Sequence, residues 1–145
     1  AGGGCLRLYQ RNLANLLDPR DLQPAFRKTF ETIGMAKVAT SAEEARELGF
    51  LRPGDSWSMN RGHLAADAKD LALALAAGSH VSPGPDRAIP VMGTAGIGLA
   101  ESVLFNMKEG RYISEHDMKI GMMLAKTLAG GAVPPGTKHS SAVTQ

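Results

Sequence analysis

The chain has 145 residues, which suits one domain, and 43% of them are hydrophobic, enough to build a core. Sixteen basic residues against fourteen acidic ones leave a net charge of +2, which is no electrostatic footprint for nucleic acid. The single cysteine, Cys5, excludes an internal disulfide, and no apolar run reaches the roughly 18 residues that a membrane span needs.

Aromatic residues are 5% of the chain, while Ala, Gly, Leu and Met are plentiful. That mixture favours close-packed helices over a β-sandwich. No charged-then-apolar leader opens the sequence, so the expectation is a protein without a secretory signal, in a reducing cytoplasmic compartment. The first residue is Ala rather than Met, as expected of a processed product, a cloned unit or a piece of something longer.

Ala1 to Gly4 is a glycine-rich lead into a helix predicted over Cys5 to Leu17. Leu6, Tyr9, Leu13, Leu16 and Leu17 fall on one face, and Arg7, Gln10, Arg11 and Asn12 lie mostly off it. Asp18-Pro19 ends it. A flexible terminus is the bland account of the glycines. Free N–H groups at a helix start can also hold an anion or a water. A second helix is predicted over Leu22 to Thr32, with Pro24 in its first turn, Phe26 and Phe30 one turn apart, and Gly34 as the stop.

The most legible stretch is Ser41 to Asp55. Ser41 and Glu44 stand at capping-box spacing, Gly49 takes the left-handed stop, and Arg52-Pro53-Gly54-Asp55 turns the chain. Phe50 and Leu51 are delivered to a core. Ser56 to Asn60, with Trp57 and Met59 alternating, is a short edge strand or a loop. His63 to Ala77 is a helix with the stripe Leu64, Ala68, Leu71 and Leu75, ended by Gly78. Residues 79–90, rich in proline, form a loop between two helical halves of one segment spanning 1–136. Gly98 to Glu109 is predicted helical, with Leu99, Val103, Leu104 and Met107 inward and Gly110 as the stop. Ser114 and Asp117 open a last helix whose broad apolar face, Met118 to Leu128, calls for more than one partner. Gly130-Gly131 and Pro134-Pro135 finish it. Thr137 to Gln145 is polar and patternless, a flexible tail.

Four features invite chemistry. Ile89 to Gly98 is an apolar run followed by three glycines, but it reads G-x-x-G-x-G where a dinucleotide fingerprint reads G-x-G-x-x-G. Pro90 spoils the strand, so a flexible loop is expected. The histidines at 63, 80, 116 and 139 pair with no cysteine or second histidine at ligand spacing, so no metal site is expected. Glu115, His116 and Asp117 form a dense polar cluster that could hold an acid or base, or simply start a solvated helix. Cys5 at a helix start could be an activated thiol, with no partner base in view.

Three longer runs carry a resemblance: ELGFLRPGDSWSMNRGHLAADAK from Glu47, IPVMGTAGIG from Ile89, and GRYISEHDMKIGMMLAKTLAGG from Gly110. Together with the order glycine loop, helix, SAEEARELGFL and alanine-rich helix, they resemble the C-terminal part of the crotonase (enoyl-CoA hydratase) fold. They are similar to the end of large bacterial β-oxidation enzymes, in which a 3-hydroxyacyl-CoA dehydrogenase part comes first and a hydratase-like part last. The resemblance spans residue 1 to about 137; the tail departs from it. It implies a mainly α segment of a crotonase-like fold, five to six helices with at most short strands. It implies NAD and a CoA thioester for the parent enzyme, neither held by this segment. The family's two catalytic glutamates and its oxyanion hole lie upstream of the glycine loop, so no catalytic residue is carried over. Gly4 alone matches a position whose backbone N–H helps hold the attacking water, and Gly3 and Gly4 together are the substrate-binding positions implied. Implied partners are the remainder of a parent polypeptide, acyl-CoA and a second subunit, with no nucleic acid and no membrane. The alternative is a stand-alone helical assembly module without catalysis.

Overall fold

The computed structural model describes residues 3–81 and 88–139. Six helices and two very short strands follow one another: α1 (Gly4–Ala14), α2 (Gln23–Gly34), α3 (Ala42–Glu47), α4 (Leu64–Ala77), β1 (Ile89–Pro90), α5 (Gly93–Glu109), α6 (Glu115–Leu128) and β2 (Lys138–His139). The architecture is mainly helical, as composition suggests.

Two helical pairs make the body. α1 packs on α2, α5 packs on α6, and α6 also touches α1 and α2. The shared core holds Tyr9, Ala25, Phe26, Val91, Ala100, Ala125, Leu128 and Ala129. Half of these are alanines, so the helix axes approach closely. Glycines extend this: a Cβ at Gly121 would lie 2.8 Å from Leu104, and one at Gly96 would lie 3.1 Å from the Phe26 ring. Phe26 fills the centre at 1% exposure and stacks on Phe30 at 6.1 Å between ring centroids. Burying such a ring contributes about 1.5–3 kcal/mol.

α1 is shorter than its apolar spacing predicts. It closes at Asn15, whose N–H donates to Asn12 and Leu13. Leu17 is therefore fully exposed rather than part of the buried face. Asn12, expected off that face, is buried at 4% because α2 and Gly49 cover it.

The Ser41–Asp55 stretch folds as its residues dictate. Ser41 Oγ accepts from Glu44 N–H at 3.0 Å. The Glu44 carboxylate accepts from Thr40 instead of Ser41, so the return bond shifts by one residue. Gly49 has φ +86°, and Phe50 N–H reaches back to Ala45 O at 2.7 Å, a Schellman closure. Arg11 of α1 donates to the carbonyls of Gly49 and Phe50 and fixes this corner to the body. Residues 56–60 form a loop in which Trp57 lies under the Arg46 guanidinium at 4.8 Å.

Three expected glycine stops sit one or two positions ahead of the left-handed residue rather than at it. Ala36 (φ 48°), Ser79 (φ 56°) and Arg111 (φ 59°) take that conformation after Gly34, Gly78 and Gly110. Lys37, His80 and Tyr112 then close back to Thr32, Leu75 and Met107.

The glycine run at 93–98 is not a loop. α5 begins at Gly93, because Gly93 N–H and Thr94 N–H donate to Ala129 O and Val133 O and anchor the first turn on the end of α6. Thr137 to His139 are also inside the fold: β2 pairs antiparallel with β1, Ile89 opposite His139. Residues 140–145 and 82–87 lie outside the described residues, so the remainder of the expected tail and the centre of the expected loop do too.

Candidate functional site

The place that sequence points to is the start of α1. Gly3 is its N-cap, with φ 83° and ψ 12°, and its carbonyl accepts from Arg7 N–H at 3.0 Å. Helix geometry leaves the first N–H groups without intrahelical partners. No acidic residue occupies this first turn, so the positive end of the helix is uncompensated there. Neither Gly3 nor Gly4 has a described atom within 4 Å of where a Cβ would stand, so the approach is open. Gly4 is also exposed and has ordinary helical backbone. A helical glycine costs about 0.5–1 kcal/mol relative to alanine. Nothing in the described chain requires it at position 4.

Behind this opening lies a small apolar cavity of about 20 Å³, lined by Cys5, Leu6, Tyr9, Ile89, Val91, Thr127 and Leu128. It has room for about one water. It is far too small for an acyl chain. The Tyr9 hydroxyl donates to Pro90 O at 3.2 Å, and burial pushes its pKa up to about 12. It is therefore a neutral donor at physiological pH, not a base. Cys5 is half-buried on the same wall, and no basic side chain lines that cavity with it. A wider, open groove of about 380 Å³ runs between α1 and β1 past Gln10, Leu13, Leu16, Pro19, Ile89 and Pro90.

The Glu115–His116–Asp117 cluster lies elsewhere. Thr127 of α6 lines the cavity beside α1, and Glu115 starts the same helix twelve residues earlier. At 1.5 Å per residue that separates them by about 18 Å. All three side chains are exposed. Asp117 completes the capping box with Ser114, and Glu115 pairs with Lys108 at 3.1 Å. The structure thus uses Asp117 for the helix start and pairs Glu115 with α5. Among the described residues no three His, Cys, Asp or Glu side chains converge on a point that could hold a metal.

The glycine run does not fit a dinucleotide. Its first glycine is packed so tightly that a Cβ would lie 1.9 Å from Val133 O, and β1 before it is two residues long. The turn where a pyrophosphate would lie is filled by the Val133–Pro134 backbone that follows α6. Spacing alone did not reveal one further polar feature. His139 Nε2 is buried with no hydrogen-bond partner among the described residues, its ring against Gly130. No helix among the described residues is long and apolar enough to cross a membrane.

The chain is similar to a probable 3-hydroxyacyl-CoA dehydrogenase of Bacillus subtilis (strain 168), 44% identical over 137 residues. The alignment covers 94% of this chain and 17% of that relative, so the chain spans about a sixth of the relative's length. No protein-family model matches the chain, and no solved structure matches it.

Proposed function

We propose that this chain is the helical C-terminal segment of a fatty-acid β-oxidation enzyme. It forms the end of a crotonase-like hydratase part in a polypeptide that also carries a 3-hydroxyacyl-CoA dehydrogenase. The observation that carries this is the 44% identity over nearly the whole chain to a relative six times longer that bears the dehydrogenase name. The long motifs from Glu47, Ile89 and Gly110 support the hydratase side.

In this reading the open start of α1 is the segment's contribution to chemistry. Gly3 turns the chain into the helix, and Gly4 presents a backbone N–H to the attacking water. Hydration of an enoyl thioester also needs an acid and base flanking the double bond, and donors aimed at the developing oxyanion. The described residues near Gly4 supply none, since Tyr9 is neutral and His116 lies a helix length away. The segment is inactive alone, and NAD and the CoA thioester bind to other parts of the enzyme.

The test is to assay enoyl-CoA hydration and NAD-dependent 3-hydroxyacyl-CoA oxidation on residues 1–145 and on the product of the complete reading frame. The expected result is turnover only in the longer product, with Gly4→Val lowering hydration and sparing oxidation. A reading frame that encodes nothing ahead of Ala1, or a longer product with neither activity, overturns the proposal. The assembly module without catalysis would then be the reading that stands, favoured by the exposed leucines of α4.

A further inference from the structure

We infer that Tyr9 is a positioning residue for the Gly4 N–H: its hydroxyl, bonded to Pro90 O, fixes the angle at which α1 aims that N–H at the water. The inference rests on the function proposed above and deepens its account of the α1 start.

Packing at the helix start does not steer Gly4. The places where a Cβ on Gly3 or Gly4 would stand are open. The direction of the Gly4 N–H is therefore inherited from the grip on α1 further along. Asn12 is tied to Thr29 of α2, and Arg11 to the carbonyls of Gly49 and Phe50. Tyr9 is nearer to Gly4 than either, five residues away and about 7.5 Å along the axis. Its bond reaches β1, an element that the other two ties leave alone.

The contact between α1 and β1 is loosely packed. Toward the helix start, the cavity of about 20 Å³ lies between Cys5, Leu6 and Tyr9 and, across from them, Ile89 and Val91. Toward the helix end, the open groove of about 380 Å³ separates Leu13 and Leu16 from Ile89 and Pro90. Side chains that face a gap forfeit contact energy and leave the helix room to turn. A hydrogen bond restrains that turn, because it weakens steeply as its angle closes.

The hydroxyl is not needed to fill space. Tyr9 is 2% exposed, and phenylalanine would occupy nearly the same volume. Exchanging a bond to water for one to Pro90 O at 3.2 Å gains little stability. What the hydroxyl adds is direction. Its anchor is held in turn: β2 pairs with β1, and Val91 exchanges bonds with Thr137 and Gly136. Burial pushes the phenol pKa up to about 12, so the donor keeps its proton at any assay pH. A displacement of about 1 Å at a reacting group can cost as much as a hundredfold in rate.

The test compares wild type, Tyr9→Phe, Gly4→Val and the double variant in the complete polypeptide, assayed for enoyl-CoA hydration and NAD-dependent 3-hydroxyacyl-CoA oxidation. Tyr9→Phe should lower the hydration kcat about tenfold, hold its KM within about twofold, and leave oxidation unchanged. Its thermal midpoint should stay within about 5 °C of wild type. The double variant should hydrate no more slowly than Gly4→Val, because Tyr9 acts only through Gly4. An unchanged hydration kcat in Tyr9→Phe overturns the inference. So do equal losses in hydration and oxidation, a variant that melts below the assay temperature, or losses that multiply in the double variant, since each makes Tyr9 structural only. If Gly4→Val slows hydration while Tyr9→Phe does not, the proposed function stands without this inference. A wild-type polypeptide that does not hydrate, or that Gly4→Val does not slow, removes the role of Gly4 and this inference with it.

Discussion

Asn12 on α1 donates its side-chain amide to the Thr29 hydroxyl on α2 at 2.8 Å, and both residues are buried. The hydroxyl in turn donates a hydrogen bond to Ala25 O at 2.7 Å. This is the polar tie across an otherwise apolar helix pair. Asn12→Ala should cost about 1–3 kcal/mol, because it strands a buried acceptor. Urea unfolding of Asn12→Ala, Thr29→Ala and the double variant checks this. Coupling of about 0.5–1.5 kcal/mol is expected between them, and strictly additive losses would show that the bond contributes nothing.

Ala36 and Arg111 hold left-handed backbone that glycine adopts without strain. The strain of such a residue is roughly 1–2 kcal/mol. Glycine's extra chain entropy cancels about half of the gain. Ala36→Gly and Arg111→Gly should each stabilise the protein by about 0.5–1 kcal/mol, read as a rise in thermal midpoint. A fall at either position would mean that the helix end is built differently.

Gly93 and Gly98 lie in the same helix and should respond in opposite ways. A Cβ at Gly93 meets Val133 O at 1.9 Å, and its φ is +55°; at Gly98 it meets nothing within 4 Å. Gly93→Ala should cost at least about 2 kcal/mol by forcing backbone apart. Gly98→Ala should gain about 0.5–1 kcal/mol by restricting the unfolded chain. Comparing their urea midpoints tests whether the glycine run is a packed helix start or a loop.

Acid should loosen the start of α6. The Ser114 N–H, and after it the Ser114 hydroxyl, hold the Asp117 carboxyl below its ordinary value of 3.8. A carboxyl depressed in the folded state adds stability above its unfolded pKa and loses it as pH falls through the folded one. Exchange of the amides at 115–118 should therefore speed up as pH drops below 3.8, after correction for intrinsic rates. Ser114→Ala removes the hydroxyl and keeps the N–H, so it should move the Asp117 titration part of the way upward, and an unmoved titration would show that the hydroxyl contributes nothing.

Alkali acts through Tyr9. Burial raises its pKa from 10.0 to about 12. Between those values the unfolded chain loses the phenolic proton and the folded one keeps it, so stability falls as pH rises across the interval. Tyr9→Phe should remove the highest component of the phenolate absorbance titration. A wild-type titration without that component would contradict the burial.

The sequence by itself determined the features whose partners lie within a few residues. Ser41 with Glu44, Gly49 with the closure from Phe50 to Ala45, and Ser114 with Asp117 were legible because short hydrogen bonds leave a fixed spacing. The start of α1 was legible to within a residue for another reason: no capping bond marks it, but the glycines give way to a helical apolar stripe from Cys5 onward. Tertiary structure decided what depends on distant partners. Asn12 is inward because Thr29 meets it, and the glycines from 93 are helical because Ala129 and Val133 accept their N–H groups. The cavity behind Gly4 joins α1 to β1 and to the end of α6, with Tyr9 and Pro90 bonded across 81 positions. No spacing rule reaches that far. The stripe on α4 was visible as a pattern, but a pattern names only a face to be buried. Only packing shows whether the face is buried, and no described residue buries it.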